Sequence, residues 1–279
     1  MVRSRRKRIQ MNTVVHAVLI FFALAQVGPI LLVFLNSFKS HREIVINPFS
    51  MPALFSWENY ITAWKYGKFA VGFKNSLILT GCTILIVLFC ATLAAYALSG
   101  ERMKRTAPVI IYFMLAMTVP IQMFLFPLYS LFSKLGLLSN LYALSVIMAA
   151  RQMPLSVFLM RTFFLKVPRD LEEAAKLDGA GTWAIIWKVM VPIISPAMIT
   201  VSVLVGLSTW NEYMLSSTFL QGEGSFTAVL GFLSLNGLES SNMGIMMAGA
   251  SILIVPILIF FLLVQKYFID GLVNGAVKG

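Results

Sequence analysis

Two ionisable residues stand inside otherwise apolar stretches of this chain: Arg151 midway along one, and Glu212 near the end of another, in the run Trp210-Asn211-Glu212. A charge surrounded by hydrocarbon is costly, so such residues face a wet cavity or a partner helix. They offer hydrogen bonds and charge, suited to holding a solute or to fastening helices together. A second group, Asp170, Glu172, Glu173, Ala174, Ala175, Asp178 and Gly179, lies in a polar loop. Its small alanines permit close approach and its acids can pair with a partner's charges, although an ordinary surface helix resting on a membrane would read the same way. Covalent and metal chemistry find little support. Cys82 and Cys90 are eight residues apart on one apolar run, hence ~12 Å along a helix and unable to bridge. The sixteen methionines suit apolar interfaces better than a metal path. No Gly-x4-Gly-Lys-Ser/Thr phosphate loop occurs in the sequence, so no nucleotide site of that kind is encoded.

The elements that position these residues are membrane spans. Of 279 residues 59% are hydrophobic and only 12% charged, with a mean hydropathy of +0.85, whereas soluble domains are roughly a quarter charged. Apolar runs near the ~20 residues that a spanning helix needs occur at 13–35, 75–98, 107–132, 138–160, 190–215 and 244–265. The sequence therefore predicts an all-α polytopic protein of six spans: a basic N-terminus at 1–12, a body over 13–265 with a polar loop at 161–192, and a tail at 266–279. The first run follows a basic cluster as a signal peptide would, but it continues to Leu35, too far for a signal core, and predicts an uncleaved span.

Charge is distributed by side. Six spans put both termini on one face, which carries fifteen Lys and Arg against six on the other, with Arg151 inside a span. The positive-inside rule places both termini in the cytoplasm, and the formal charge of +11 points to anionic lipid rather than nucleic acid. Two outward loops are long. Residues 36–74 hold Trp57, Tyr60, Trp64 and Tyr66, an interfacial aromatic set, and 216–243 carry Glu223 and Glu239, with Gly222–Ser225 predicted to form a turn. Along span four Arg151 stands ~14 Å above the inner end, and Glu212 ~33 Å above that of span five, which predicts no direct ion pair between them unless the helices are strongly tilted or offset. The prolines at 29, 120, 127, 154, 192, 196 and 256 predict kinks or span ends.

The polar loop has a helix grammar. Pro168 opens it, Asp170, Glu172 and Glu173 fill the first turn, Ala174-Ala175 favour helix, and Gly179 ends it. A second amphipathic helix over 182–190 is predicted to set Trp183, Ile186 and Trp187 on one side before Pro192. Glu173-Ala174-Ala175, three residues, Gly179, nine residues and Val189-Met190-Val191-Pro192 resemble the EAA loop of inner-membrane permease subunits in binding-protein-dependent ABC importers. The family's usual ending is Ile-x-Leu-Pro, and valine stands at both apolar positions here. The string Val167 to Gly179, Trp210-Asn211-Glu212 and the tail Gln265-Lys266-Tyr267-Phe268 through Gly271 to Gly279 are similar to the carbohydrate branch, particularly the smaller permease of maltose-type systems.

The resemblance implies the type I importer permease fold and a bacterial inner-membrane complex. Its members would be a second homologous permease, two cytoplasmic ATPases that hold the ATP and Mg, an external solute-binding protein and this subunit, itself no enzyme and without a cofactor. Glu172, Glu173, Ala174, Ala175, Asp178 and Gly179 would belong to a coupling helix seated in an ATPase cleft. Arg151, Trp210, Asn211 and Glu212 are candidates for the path of a sugar, which hydrogen-bonding groups and aromatic faces bind together; helix packing is the alternative. Arg151 also admits an acidic solute, a uronate oligosaccharide or sugar phosphate. Six spans alone would equally suit an ATPase-independent secondary transporter or a sensory scaffold, but the ion-coupling carboxylates and inverted repeats common in secondary transporters are not evident.

Overall fold

A computed structural model of the chain describes residues 2–99, 106–238 and 242–276, with side chains described over 15–99, 106–236 and 242–265. The basic side chains of 1–12, Arg102, Lys104 and Arg105, Glu239 and the side chains of the tail lie outside this set. Among the described residues there is helix and no strand. In chain order the helices are α1 (Val2–Asn36), α2 (His41–Ile46), α3 (Glu58–Tyr66), α4 (Phe69–Leu98), α5 (Thr106–Thr118), α6 (Leu125–Lys134), α7 (Leu141–Phe164), α8 (Arg169–Leu177), α9 (Thr182–Ala184), α10 (Val191–Ile193), α11 (Ser195–Trp210), α12 (Met214–Phe219), α13 (Ala228–Leu238) and α14 (Met243–Ala276). They fall into two compact units, one of Met1–Phe69 with Phe232–Val255, the other of Ala70–Gly231 with Pro256–Gly279.

Four described stretches are long and apolar enough to cross a membrane: Val15–Asn36, Phe69–Leu98, Leu141–Phe164 and Met243–Gln265. Two further passages are bent pairs, Thr106–Thr118 with Ile121–Lys134 at 87° and Thr182–Ile193 with Ser195–Trp210 at 78°, so the count reaches six if each pair is one span. The breaks fall inside the apolar runs 107–132 and 190–215 and beside Pro120 and Pro196, two of the prolines expected to kink or end spans. Pro120 is extended at ψ 129° and starts a short 3-10 turn; proline also drives the residue before it out of the helical region. The thirteen residues of α5 rise only ~20 Å, less than a ~30 Å hydrocarbon core. In the other pair the turn falls at Ile194, just before Ser195-Pro196. α14 continues through Gly271 to Ala276; a helical glycine costs only ~1 kcal/mol.

In the first unit the segment after α1 is tied down by polar contacts. Lys39, fully buried, donates from Nζ to the carbonyls of Asn47 and Pro48 at 3.2 and 3.1 Å. The Asn59 amide donates to the carbonyls of Ser37 and Lys39, both at 2.9 Å. Gly244, at the start of α14, lies so close that a Cβ there would stand 2.6 Å from Asn59 Nδ2 and would also strike the Lys39 carbonyl. Phe38 gathers the rings of Phe55, Trp57 and Tyr60 at 5.1–5.4 Å. Glu43 closes a capping box with Ser40. The Ser40 N–H, then its hydroxyl, then the Ala53 N–H hold the Glu43 carboxyl below the usual range.

The second unit packs α4, α7 and α11 around two apolar clusters. One, at the α8 end, holds Val87, Ala91, Ala95, Met160, Phe164, Ile185 and Ile186. The other, at the α12 end, holds Leu79, Phe132, Leu144, Met148, Leu215 and Phe219. At that end Gly72 of α4 meets the start of α13 so closely that a Cβ would stand 2.9 Å from Ala228 Cα. The Asn75 amide donates to the carbonyls of Gly224 and Phe226, and the Ala228 N–H donates to the Ser76 hydroxyl at 3.0 Å.

Candidate functional site: an exposed short helix and a cleft between spans

α8 begins after Pro168 and carries Asp170 and Glu172 in its first turn. It ends in a paired motif: Ala180 N–H to the Ala175 carbonyl at 2.9 Å and Gly179 N–H to that of Lys176 at 3.0 Å, with Gly179 at φ +80°. That left-handed conformation is why glycine stands there. Helical spacing then sorts the acids. Asp170, Glu173, Ala174, Leu177 and Asp178 are exposed, Leu177 at 90%. Glu172 turns inward, where it accepts from the Tyr96 hydroxyl at 3.0 Å and pairs with Lys176 at 3.0 Å. The expectation that Glu172 pairs outward with a partner is therefore corrected; of the two adjacent glutamates it is Glu173 that faces out.

The segment after α8 also differs from its predicted form. α9 passes into a π-helical stretch, Ile185–Met190, and then α10. The wider register buries Ile185, Ile186 and Met190, leaves Trp183 exposed, and stacks Trp187 on Phe89 at 6.0 Å. Trp183 and Ile186 thus do not share a buried face.

A cleft of about 770 Å³ opens between α5, the turn after it, α6 and α7. Its lining is apolar apart from Gln122, Arg151 and Gln152, with the rings of Phe124 and Phe132 beside them. Gln152 also hydrogen-bonds the Ser208 hydroxyl, tying α7 to α11. Arg151, 39% exposed in its side chain, reaches Glu212 with Nη1 at 4.0 Å from Oε1. The expected separation of these two residues is thereby overturned. A height for Glu212 counted from residue 190 leaves out the 78° turn at Ile194; counted from Ser195 it is ~25 Å, and Arg151 stands ~20 Å above the end of α7 at Phe164, a difference within an arginine's reach.

Glu212 has a further task. Buried, its two oxygens accept the Leu215 and Ser216 N–H groups at 2.9 and 3.0 Å, closing the N-terminus of α12. Such orphan donors need an acceptor, and a helix start favours an anion. Asn211 is exposed and returns its amide to the Leu207 carbonyl at 2.9 Å. Trp210 stacks on Phe73 at 5.9 Å and buries its indole N–H without a hydrogen-bond partner. Gln122, Gln152, Tyr96 and Phe73 went unread in the sequence; two uncharged amides inside apolar runs were the only available signal, and Tyr96 gave none. Among the described residues no three His, Cys, Asp or Glu side chains gather where a metal could be held.

An all-helical membrane bundle, with a largely apolar cleft that carries an arginine and two glutamines between spans and a short exposed helix between two others, has the architecture of a transport permease. The chain belongs to the family described as binding-protein-dependent transport system inner membrane component, whose model matches residues 87–273. It is 33% identical over 277 residues to the probable ABC transporter permease protein YurM of Bacillus subtilis, covering 99% of this chain and 92% of that one. It is also 33% identical to the probable starch degradation products transport system permease protein AmyC of Thermoanaerobacterium thermosulfurigenes, covering 93% and 94%. Among solved structures it resembles a bacterial ABC transporter involved in the import of the acidic polysaccharide alginate. There the TM-score is 0.76 at 26% identity, over 93% of this chain and 97% of that one. The resemblance carried by the EAA-type loop and by Trp210-Asn211-Glu212 thus agrees with the family, and the matched stretch contains both.

Proposed function

We propose that this subunit forms half of the path by which an ABC importer brings a sugar or oligosaccharide, delivered by an external binding protein, across the inner membrane. The second half is a homologous permease, and cytoplasmic ATPases supply the energy. The excess of Lys and Arg on their side supports both termini in the cytoplasm, and α8 then faces the ATPases. The observation that carries this reading is the exposed edge of α8: Leu177 stands 90% exposed beside Ala174, Glu173 and Asp178. An apolar knob flanked by a small residue and acids suits a cleft with an apolar floor and a basic rim. ATP-driven closure of the ATPase pair would carry α8 with it as a rigid element and switch the side on which the cavity opens. Cysteines placed at Glu173, Ala174 and Leu177 in the assembled importer should cross-link to an ATPase subunit. Uptake that persists without any ATPase, with no cross-link captured, rejects the proposal.

For the solute, the cleft supports a neutral saccharide. Its charged group, Arg151, already has Glu212 at 4.0 Å, and Gln122 and Gln152 add uncharged donors and acceptors beside two aromatic rings. The permease named for starch degradation products agrees with this reading. A second reading, an acidic oligosaccharide, draws on the exposed part of Arg151 and on the likeness to the alginate importer. Arg151→Ala is expected to lower uptake of a neutral glucan fragment by about 10-fold, the worth of one or two hydrogen bonds. An oligouronate should enter with neither protein. Oligouronate uptake in the parent that Arg151→Ala selectively abolishes would establish the acidic reading instead.

A further inference from the structure

The end of α4 nearest α8 is gripped from two sides. Arg161, in the last turn of α7, donates from Nε to the Leu98 carbonyl at 2.9 Å. From α8, Glu172 receives the Tyr96 hydroxyl at 3.0 Å. Both members of this second contact are buried, Tyr96 at 6% and Glu172 at 5% exposure, and the phenol ring stands edge-on to Phe164 at 5.8 Å. Along the chain α8 is joined to the bundle by two short links, Leu165–Pro168 on one side and Asp178–Gly181 on the other, the latter holding two glycines. Apolar packing through Ala175 adds attraction without direction. A buried hydrogen bond adds direction, and in low-dielectric surroundings its loss is not repaired by water.

We propose that Tyr96 is a positioning residue that makes α8 and the end of α4 move as one body. Displacement of α8 then reaches α4 through the phenol–carboxylate hydrogen bond as well as through the backbone into α7. The inference rests on α8 being the coupling helix. Glu172 is here a bracket fixed to the bundle, and Lys176 holds its carboxylate in place from the next turn.

The test uses the complete importer with its partner subunits, in a Cys82→Ser background. Spin labels are placed on the native Cys90 of α4 and on Asp170→Cys of α8, and their separation is measured without nucleotide and after trapping with ATP and vanadate. With Tyr96 present the separation should change by less than about 2 Å, whereas in Tyr96→Phe it should change by about 5 Å, a helical turn of slippage. ATPase association should persist in both. Glu172→Gln, which keeps an acceptor for the phenol, should behave as the parent does. An unchanged separation in Tyr96→Phe overturns the inference, as does loss of ATPase association in that variant, which would make Tyr96 a folding residue. A parent importer whose α8 never contacts an ATPase would instead reject the coupling reading itself.

Discussion

Leu177→Asp should lower ATP-driven uptake by one to two orders of magnitude while leaving the amount of the subunit in the membrane unchanged. Leu177 is 90% exposed, so the folded subunit loses almost no packing when it is replaced. If α8 seats in an ATPase cleft, that side chain is buried only in the assembled importer. Full burial of a leucine is worth about 1.5–3 kcal/mol, equivalent to roughly 10–150-fold in association. An aspartate forfeits this and must also be desolvated. Because an acid in the last turn of a helix opposes the dipole by up to about 1 kcal/mol, Leu177→Lys serves as the control: it favours the dipole and still lacks the apolar knob. Both variants should lose co-purifying ATPase and uptake together, whereas Glu173→Gln, which alters one charge on the rim, should lose less than about fivefold. Wild-type uptake in both Leu177 variants would remove α8 from the ATPase interface.

How much of this was legible in the sequence depends on the distance over which each feature is decided. The limits of α8 are local matters, and Pro168 and Gly179 announce them. Which of its acids turns inward is decided by Tyr96, 76 residues away from Glu172, and no spacing rule reaches that far. The spans are legible because hydrocarbon demands long apolar runs. Their breaks are legible only as prolines: Pro120 and Pro196 mark an interruption, but the angles of 87° and 78° arise from how the following segments pack. The π-helical stretch Ile185–Met190 has no composition of its own. The failed separation of Arg151 and Glu212 shares this origin, since a ruler of ~1.5 Å per residue holds only along one axis. The cleft combined one readable residue, Arg151, with two amides, Gln122 and Gln152, whose apolar neighbours hid them.

Glu212 provides the sharpest separation of a structural role from a solute-binding one. Its oxygens each take one backbone N–H, from Leu215 and Ser216, in a buried site. Glu212→Ala would leave both donors without an acceptor, at about 1–3 kcal/mol each, which is more than a surface cap is worth. The Arg151 contact adds little, because 39% of that side chain is exposed and water can replace the carboxylate. A total of about 2–6 kcal/mol corresponds to a melting temperature lower by roughly 5–20 °C. Glu212→Gln should fall between, since its carbonyl oxygen can take one N–H while its amide faces the other. Arg151→Ala should leave the melting temperature nearly unchanged and act on uptake alone. The two residues, 4.0 Å apart, would thus divide the work, the carboxylate holding the start of α12 and the guanidinium facing the cleft. A Glu212→Ala protein that melts with the parent yet transports nothing would reassign the carboxylate to the solute.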